Sequence, residues 1–208
     1  MINLDAVIRG FGPQALRLQL EESETSDSKA LTALQDKSAL NRGEAIRSWL
    51  QSYQVFQGIE GANRPTIASA IVEWADARDM HRDLTTADAL NEAHLEMTAV
   101  CVRANGKPRE FTSLASKALW LCYPDSVPLY DSFAQRALWV ICKLEKEITA
   151  LPENEPEYRK FVHVWKAVYD RYAGAISSID MGSYPYRVRI FDKILWLIGE
   201  PRYSRSLH

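Results

Sequence analysis

A lysine and an aspartate on either side of a proline-bounded turn are the side chains best placed to do chemistry. Lys117 lies at the edge of an apolar helical stripe, where partial burial lowers the pKa of a lysine and raises its fraction of nucleophilic free amine. After the turn PDSVP (124–128), Asp131 is predicted to cap the next helix, with its carboxylate facing the space before that helix. From spacing alone two interpretations stand: an active pair, or a snorkelling lysine beside an ordinary capping aspartate.

The stretch FTSLASKALWLCYPDSVPLYDSFAQRAL (111–138) resembles the signature of the helix-hairpin-helix DNA glycosylases, in particular their lysine-using, 8-oxoguanine glycosylase-like branch. That signature is a G-x-G-x-K hairpin followed by a helix, a turn and the pattern V-P-x-D-x-x-x-x-R. Here SLASK (113–117) stands at the hairpin, VPLYD (127–131) at the second element, and Arg136 at the final arginine. Serine and alanine replace the hairpin glycines, so we expect a divergent member.

The resemblance implies an enzyme that excises a damaged or modified base from double-stranded DNA after extruding the nucleotide from the duplex. Lys117 would attack C1′ of the deoxyribose as the base leaves, and Asp131 would stabilise the oxocarbenium-like charge. A Schiff base that proceeds to β-elimination would add AP lyase activity. Water activated by Asp131 would instead give base removal alone. No metal and no organic cofactor is expected.

The contacts to DNA are expected from three groups of residues. Asn63, in a stretch (55–75) that looks like the family's early loop and helix, would enter the gap left by the extruded base; capping its own helix is the alternative. The backbone contacts would come from Arg103, Lys107, Arg109, Ser113 and Ser116, with a solvated loop as the alternative for the three cations. The base pocket would be lined by Trp120, Tyr123 and Tyr130, with core packing as the alternative.

The elements that must position these residues are helices almost throughout, because apolar residues recur at helical spacing and no alternating, turn-bounded strand pattern occurs. We predict an all-α bundle of seven or eight helices that resembles the helix-hairpin-helix glycosylase fold. Residues 1–40 are predicted to form an N-terminal arm or accessory helices, residues 41–208 the glycosylase-like domain, and EESETSD (21–27) the most flexible stretch. Predicted helix starts are Asn41, Thr85 or Thr86, Thr112 and Asp131.

The composition predicts a cytoplasmic protein without a membrane partner. The resemblance implies that it is associated with DNA, and a monomer is favoured. Of the 208 residues 47% are hydrophobic, and no apolar run is long enough to cross a bilayer. Three cysteines without a C-x-x-C pair indicate neither a disulfide framework nor a zinc site. The net charge of −2 conceals an uneven distribution, with seven acids against two bases in residues 73–96 and four bases against one acid in residues 103–117.

Two other classes of function stay open on the sequence. The first is a non-catalytic helical module that binds DNA or a protein through the same scaffold. The second is a helical ribonuclease that uses Arg159 and His163, which lie one turn apart on a predicted helix. Under the glycosylase interpretation, the enzyme acts either in DNA repair or in defence against phages whose DNA carries hypermodified bases. The six tryptophans fall one per predicted helix and so predict packing between helices, with Trp120 as the one candidate for the pocket.

Overall fold

The computed structural model describes residues 3–22, 27–78 and 82–204, and over these residues the protein is built from helices without a strand. The all-α prediction is therefore confirmed. The described helices outnumber the seven or eight predicted, because the N-terminal region forms two and two short ones follow longer neighbours. In chain order they are α1 (Leu4–Glu22), α2 (Ser28–Gln35), α3 (Arg42–Ser52), α4 (Asn63–Asp76), α5 (Ala87–Asn105), α6 (Thr112–Cys122), α7 (Ser132–Leu144), α8 (Glu157–Arg171), α9 (Ala173–Ser177), α10 (Arg187–Gly199) and α11 (Pro201–Ser204).

The chain divides into two compact units. The terminal unit combines residues 1–21 with residues 128–208, and the central unit comprises residues 22–127. Helix α1 thus belongs to the terminal unit and α2 to the central unit, so the boundary predicted at residue 40 coincides with neither end of the central unit. Residues 23–26 of the acidic stretch predicted to be flexible lie outside the described residues.

A buried arginine joins α2 to the rest of the central unit. Arg42, at the start of α3, donates to the carbonyl oxygens of Ala33 and Leu34 near the end of α2. Its guanidinium also pairs with Asp76, at the end of α4, with an N···O distance of 2.6 Å. The free carbonyls that end a helix need such donors, so one side chain fixes three helices.

The core of the central unit follows the helical stripes predicted from the sequence. Ile46, Trp49 and Leu50 of α3 are almost fully buried, as their spacing predicts. Helix α5 begins where expected, because the Thr86 hydroxyl accepts a hydrogen bond from the Ala89 N–H at 3.1 Å. The helix that carries Lys117 begins one residue earlier than predicted, since its N-cap is Phe111 and not Thr112.

In the terminal unit, α7 and α10 pack so closely that one position admits only glycine. A Cβ atom at Gly199, the last residue of α10, would lie 1.8 Å from the Phe133 carbonyl oxygen. Helix α7 is capped by Asp131 as predicted and ends at Leu144. Helix α1 joins this unit through Arg9, which donates to the hydroxyl of Ser178. No helix within the described ranges is long and apolar enough to span a membrane.

Candidate active site

Lys117 lies in the second turn of α6, and only 3% of its surface is exposed. Its ammonium or amine nitrogen Nζ lies 2.9 Å from the Ser113 hydroxyl, one helical turn earlier, and donates to it. Nζ also lies 5.7 Å from the ring centroid of Tyr53. Lysine is among the residues least often buried, so this position is unusual for its type. The burial is deeper than the sequence predicts, because Lys117 was expected at the edge of the apolar stripe.

A buried carboxylate lies on the other side of Tyr53. Asp27 is 1% exposed and accepts hydrogen bonds from the indole N–H of Trp49 at 2.6 Å and from the Tyr53 hydroxyl at 3.3 Å. Tyr53 therefore contacts Lys117 with its ring and Asp27 with its hydroxyl. Sequence reasoning missed this link, because Asp27 lies in the acidic stretch predicted to be flexible and its partners lie 22 and 26 residues further along the chain.

The start of α6 is held by a buried histidine of α5. His94 Nε2 lies 3.0 Å from the carbonyl oxygen of Thr112, to which the neutral ring donates as its Nε2–H tautomer. Burial lowers the pKa of His94 to about 4, so the ring is neutral at physiological pH. Sequence reasoning missed this contact, because the partner of His94 lies in the next element.

The turn between α5 and α6 precedes the stretch 113–117, which the resemblance places at the hairpin. Residues 113–117 form the first turns of α6, and the turn between α5 and α6 is made by residues 106–111, with Gly106 in the left-handed conformation at φ +70°. Ser113 is half-buried and accepts from Lys117. Ser116 is fully buried and its hydroxyl donates to the Ser113 carbonyl oxygen, and its contact to a DNA phosphate stays a prediction.

Two of the three cations predicted to grip DNA are engaged within the central unit. Lys107 pairs with Glu60 at 2.6 Å, and Arg109 donates to the Gln57 carbonyl oxygen. The lysine holds the pKa of the Glu60 carboxyl below its usual value through this hydrogen bond. Both contacts join the loop after α5 to the loop before α4. The two cations therefore fix a loop, which is a role that sequence reasoning did not consider.

Arg103 differs from these two cations. It is exposed in the last turn of α5 and forms no ion pair with any described residue. Its side chain lines an open groove of about 510 Å³ between α4 and α5, together with Thr66, Ser69 and Glu73. Of the predicted backbone contacts, Arg103 is thus the cation left available for a phosphate.

Asn63, the predicted wedge, is the first residue of α4 and is half-buried. Its amide Nδ2 donates to the backbone carbonyl oxygen of Asn105 at 3.0 Å, at the end of α5. Asn105 in turn donates to the Lys107 carbonyl oxygen. Asn63 therefore links the start of α4 to the end of α5. It does not cap its own helix, because the N-cap is Ala62, so the capping alternative is wrong.

The three aromatic residues predicted to line a base pocket fall in both units. Trp120 is fully buried and stacks on Trp49, with ring centroids 5.7 Å apart and planes at 10°, so the packing alternative describes it. Tyr123 is buried at the end of α6. Tyr130 belongs to the terminal unit, where its half-buried hydroxyl donates to Gln135 Oε1 at 2.9 Å.

Asp131 is half-buried at the start of α7, and its Oδ1 accepts a hydrogen bond from the Phe133 N–H at 2.8 Å. The predicted cap is confirmed. Asp131 belongs to the terminal unit and Lys117 to the central unit, with the boundary between residues 127 and 128.

The backbone before Asp131 is held by a second aspartate that sequence reasoning missed. Asp192 of α10 is 3% exposed and accepts hydrogen bonds from the Leu129 N–H at 2.8 Å and the Trp165 indole N–H at 2.7 Å. The Tyr158 hydroxyl donates to the Pro128 carbonyl oxygen at 3.1 Å. Burial, with the nearby Asp192 carboxylate, raises the pKa of Tyr158 well above its usual value, so it remains a donor. These contacts fix the segment that leads into Asp131.

The residues of the ribonuclease alternative, both on α8, contact the segment that precedes this helix. Arg159 pairs with Glu155 at 2.7 Å, and His163 Nε2 lies 3.2 Å from the Thr149 carbonyl oxygen. Within the described ranges, no group of three or more histidine, cysteine, aspartate or glutamate side chains could hold a metal ion.

No protein-family model matches the chain, and no match to it is found among curated proteins or among solved structures. Any assignment of function therefore depends on the residues themselves.

Proposed function

We propose that this chain is a DNA glycosylase with AP lyase activity that acts on duplex DNA containing a damaged or modified base. The observation that carries the proposal is Lys117, a buried lysine whose Nζ is fixed by the Ser113 hydroxyl on the helix that follows the α5–α6 turn. Buried titratable side chains held by specific contacts concentrate at functional sites. The resemblance of residues 111–138 to the glycosylase signature gives that lysine its role as nucleophile.

In the proposed reaction, the free amine of Lys117 forms a bond to C1′ of the extruded nucleotide while the bond from C1′ to the base breaks. The electron pair of that bond leaves with the base, which takes up a proton. The Asp131 carboxylate offsets the positive charge that develops at the sugar. Opening of the sugar ring gives a Schiff base between Lys117 and C1′. Loss of the C2′ proton then breaks the C3′–O bond, the 3′ phosphate leaves with the electron pair, and water hydrolyses the Schiff base to free Lys117. The contacts of Asp192 and Tyr158 support this role, because they fix the backbone before Asp131.

The test is covalent trapping. The protein is incubated with a duplex that carries an abasic site, borohydride is added, and the reduced complex is counted on a denaturing gel. We expect a covalent complex with the unaltered protein and none with Lys117→Met, because methionine fills similar space without an amine. Lys166→Met, at a partly exposed lysine of α8, is the matched control and should trap normally. Thermal unfolding of each variant shows whether it is folded.

Other outcomes favour the alternatives. If DNA binds but no base release and no trapping occur across a panel of modified bases, the chain is a non-catalytic binding module. Base release without trapping, lost in Asp131→Ala, indicates a glycosylase that uses water and not Lys117. Cleavage of RNA that is lost in Arg159→Ala or His163→Ala, and unaffected by Lys117→Met, indicates a ribonuclease.

A further inference from the structure

The outer face of α7 carries a row of exposed side chains that the core does not explain. Ser132, Arg136, Trp139 and Lys143 are all exposed and recur at i, i+4, i+7 and i+11, which places them on one face of the helix. We refer to these four residues as the α7 stripe. Trp139 is 59% exposed, although the sequence predicted that most tryptophans would pack between helices. Exposed tryptophan is uncommon on a protein surface and marks contact sites.

The charge of this face is positive and is not neutralised by the described residues around it. Lys143 Nζ lies 3.3 Å from the ring centroid of Trp139, and Arg136 contacts the Phe133 ring and the Gly199 carbonyl oxygen, but neither cation forms an ion pair with a described residue. The acidic residues just beyond the helix, Glu145 and Glu147, both pair with Arg171. The stripe therefore presents two cations around an aromatic ring.

Two further apolar side chains widen the surface. Val140 is 42% exposed and Leu144 is 51% exposed, and both lie beside the stripe on α7. At a rise of about 1.5 Å per residue, the stripe extends about 16 Å along the helix axis, which is the length of several nucleotide steps. It starts at Ser132, the residue after Asp131.

We propose that the α7 stripe binds a DNA strand with unpaired bases, with Trp139 stacking on a base and with Arg136 and Lys143 contacting phosphates. We choose this ligand because a phosphate backbone complements the charge of the two cations. The face of a base complements the indole ring, and proteins that hold single strands combine these two kinds of contact. This inference deepens the proposed function and rests on it for the identity of the partner as DNA. It adds a strand-binding surface on the same helix that Asp131 caps.

The experiment measures binding by fluorescence anisotropy with two probes, a single-stranded oligothymidylate and a blunt duplex of equal length. We expect Trp139→Ala to weaken binding of the single strand about tenfold and binding of the duplex by less. In the double variant Arg136→Ser with Lys143→Ser, the slope of log affinity against log salt concentration for the single strand should fall by about 1.4. The matched controls Leu95→Ala, at an exposed leucine of α5, and Lys166→Ser should leave both affinities unchanged.

Two results would overturn the inference. One is an unchanged affinity of Trp139→Ala for both probes. The other is a dimer of the unaltered protein in solution that Trp139→Ala converts to a monomer without altering DNA binding, which would make this face an interface between copies. Borohydride trapping separates this inference from the proposed function. Strand binding that depends on Trp139, in a protein that neither releases a base nor traps abasic DNA, supports the α7 stripe and refutes the glycosylase.

Discussion

The carboxylate of Asp131 has one role in the fold and one in the proposed reaction. It caps α7 through the Phe133 N–H, and in the proposed reaction it stabilises positive charge on the sugar. A variant can separate these roles, because asparagine caps a helix about as well as aspartate but carries no charge. In the central unit two residues likewise serve two partners: Ser113 accepts from Lys117 and from Ser116, and Tyr53 contacts both Lys117 and Asp27.

We therefore expect Asp131→Asn to keep the stability of the protein and to lose excision. The free energy of unfolding should change by less than about 0.5 kcal/mol, whereas the single-turnover rate of base release should fall by about 100-fold, since a preorganised electrostatic contact is lost. Asp131→Ala removes the cap as well and should cost about 1 kcal/mol of stability. Denaturant unfolding and single-turnover kinetics on one set of samples give both quantities. An Asp131→Asn protein with full excision would show that the charge is not used.

At the scale of the elements, the close approach of α7 and α10 depends on the missing side chain of Gly199. Because a Cβ atom there would lie 1.8 Å from the Phe133 carbonyl oxygen, Gly199→Ala must push the two helices apart. We expect a loss of about 3 kcal/mol or more in the free energy of unfolding, through overpacking against rigid backbone.

Gly10, inside α1, is the matched control for this prediction. No atom lies within 4 Å of a Cβ built there, so Gly10→Ala adds helix propensity without a clash. It should stabilise the protein by about 0.5 to 1 kcal/mol. Thermal or denaturant unfolding of both variants measures the contrast. Equal effects of the two substitutions would show that the approach of α7 and α10 is not tight.

The sequence predicted those features of the elements that depend on neighbouring residues. The caps at Thr86 and Asp131 are confirmed because a capping hydroxyl or carboxylate bonds a backbone N–H two or three residues away. The contacts that hold the candidate site were not predictable in this way. Asp192 binds the Leu129 N–H from 63 residues along the chain, and no local pattern reports such a partner. The exposure of Trp139 was also missed, because helical spacing does not say which apolar residues face a neighbour.

For the molecule as a whole, the two units should respond unequally to acid. The pKa of His94, in the central unit, is about 4 in the folded protein and about 6.5 in an unfolded chain, so the unfolded chain takes up the proton first. The stabilisation that the neutral His94 side chain contributes is complete above pH 6.5, decreases as the pH falls below that value, and is fully lost once the pH has fallen through 4. Linkage gives a loss of about 2 kcal/mol between pH 7 and pH 5.

The measurement is native-state hydrogen exchange at pH 7 and pH 5, with exchange rates corrected for their intrinsic dependence on pH. We expect protection to fall more in α5 and α6 than in α8 and α10. His94→Gln, which keeps a polar side chain that does not titrate, should remove the difference. Equal loss of protection in both units of the unaltered protein would contradict the prediction.

The terminal unit is made from both ends of the chain, and this has a consequence for synthesis. Helix α1 leaves the ribosome before the central unit, yet Ser178, which accepts a hydrogen bond from Arg9, is translated 169 residues after that arginine. Every residue of the central unit is translated in between. Domains emerging from the ribosome fold as units, so the central unit can close while α1 still waits for its partner. Tags, deletions or stalled translation at either end of the chain therefore act on one and the same unit, the one that carries Asp131.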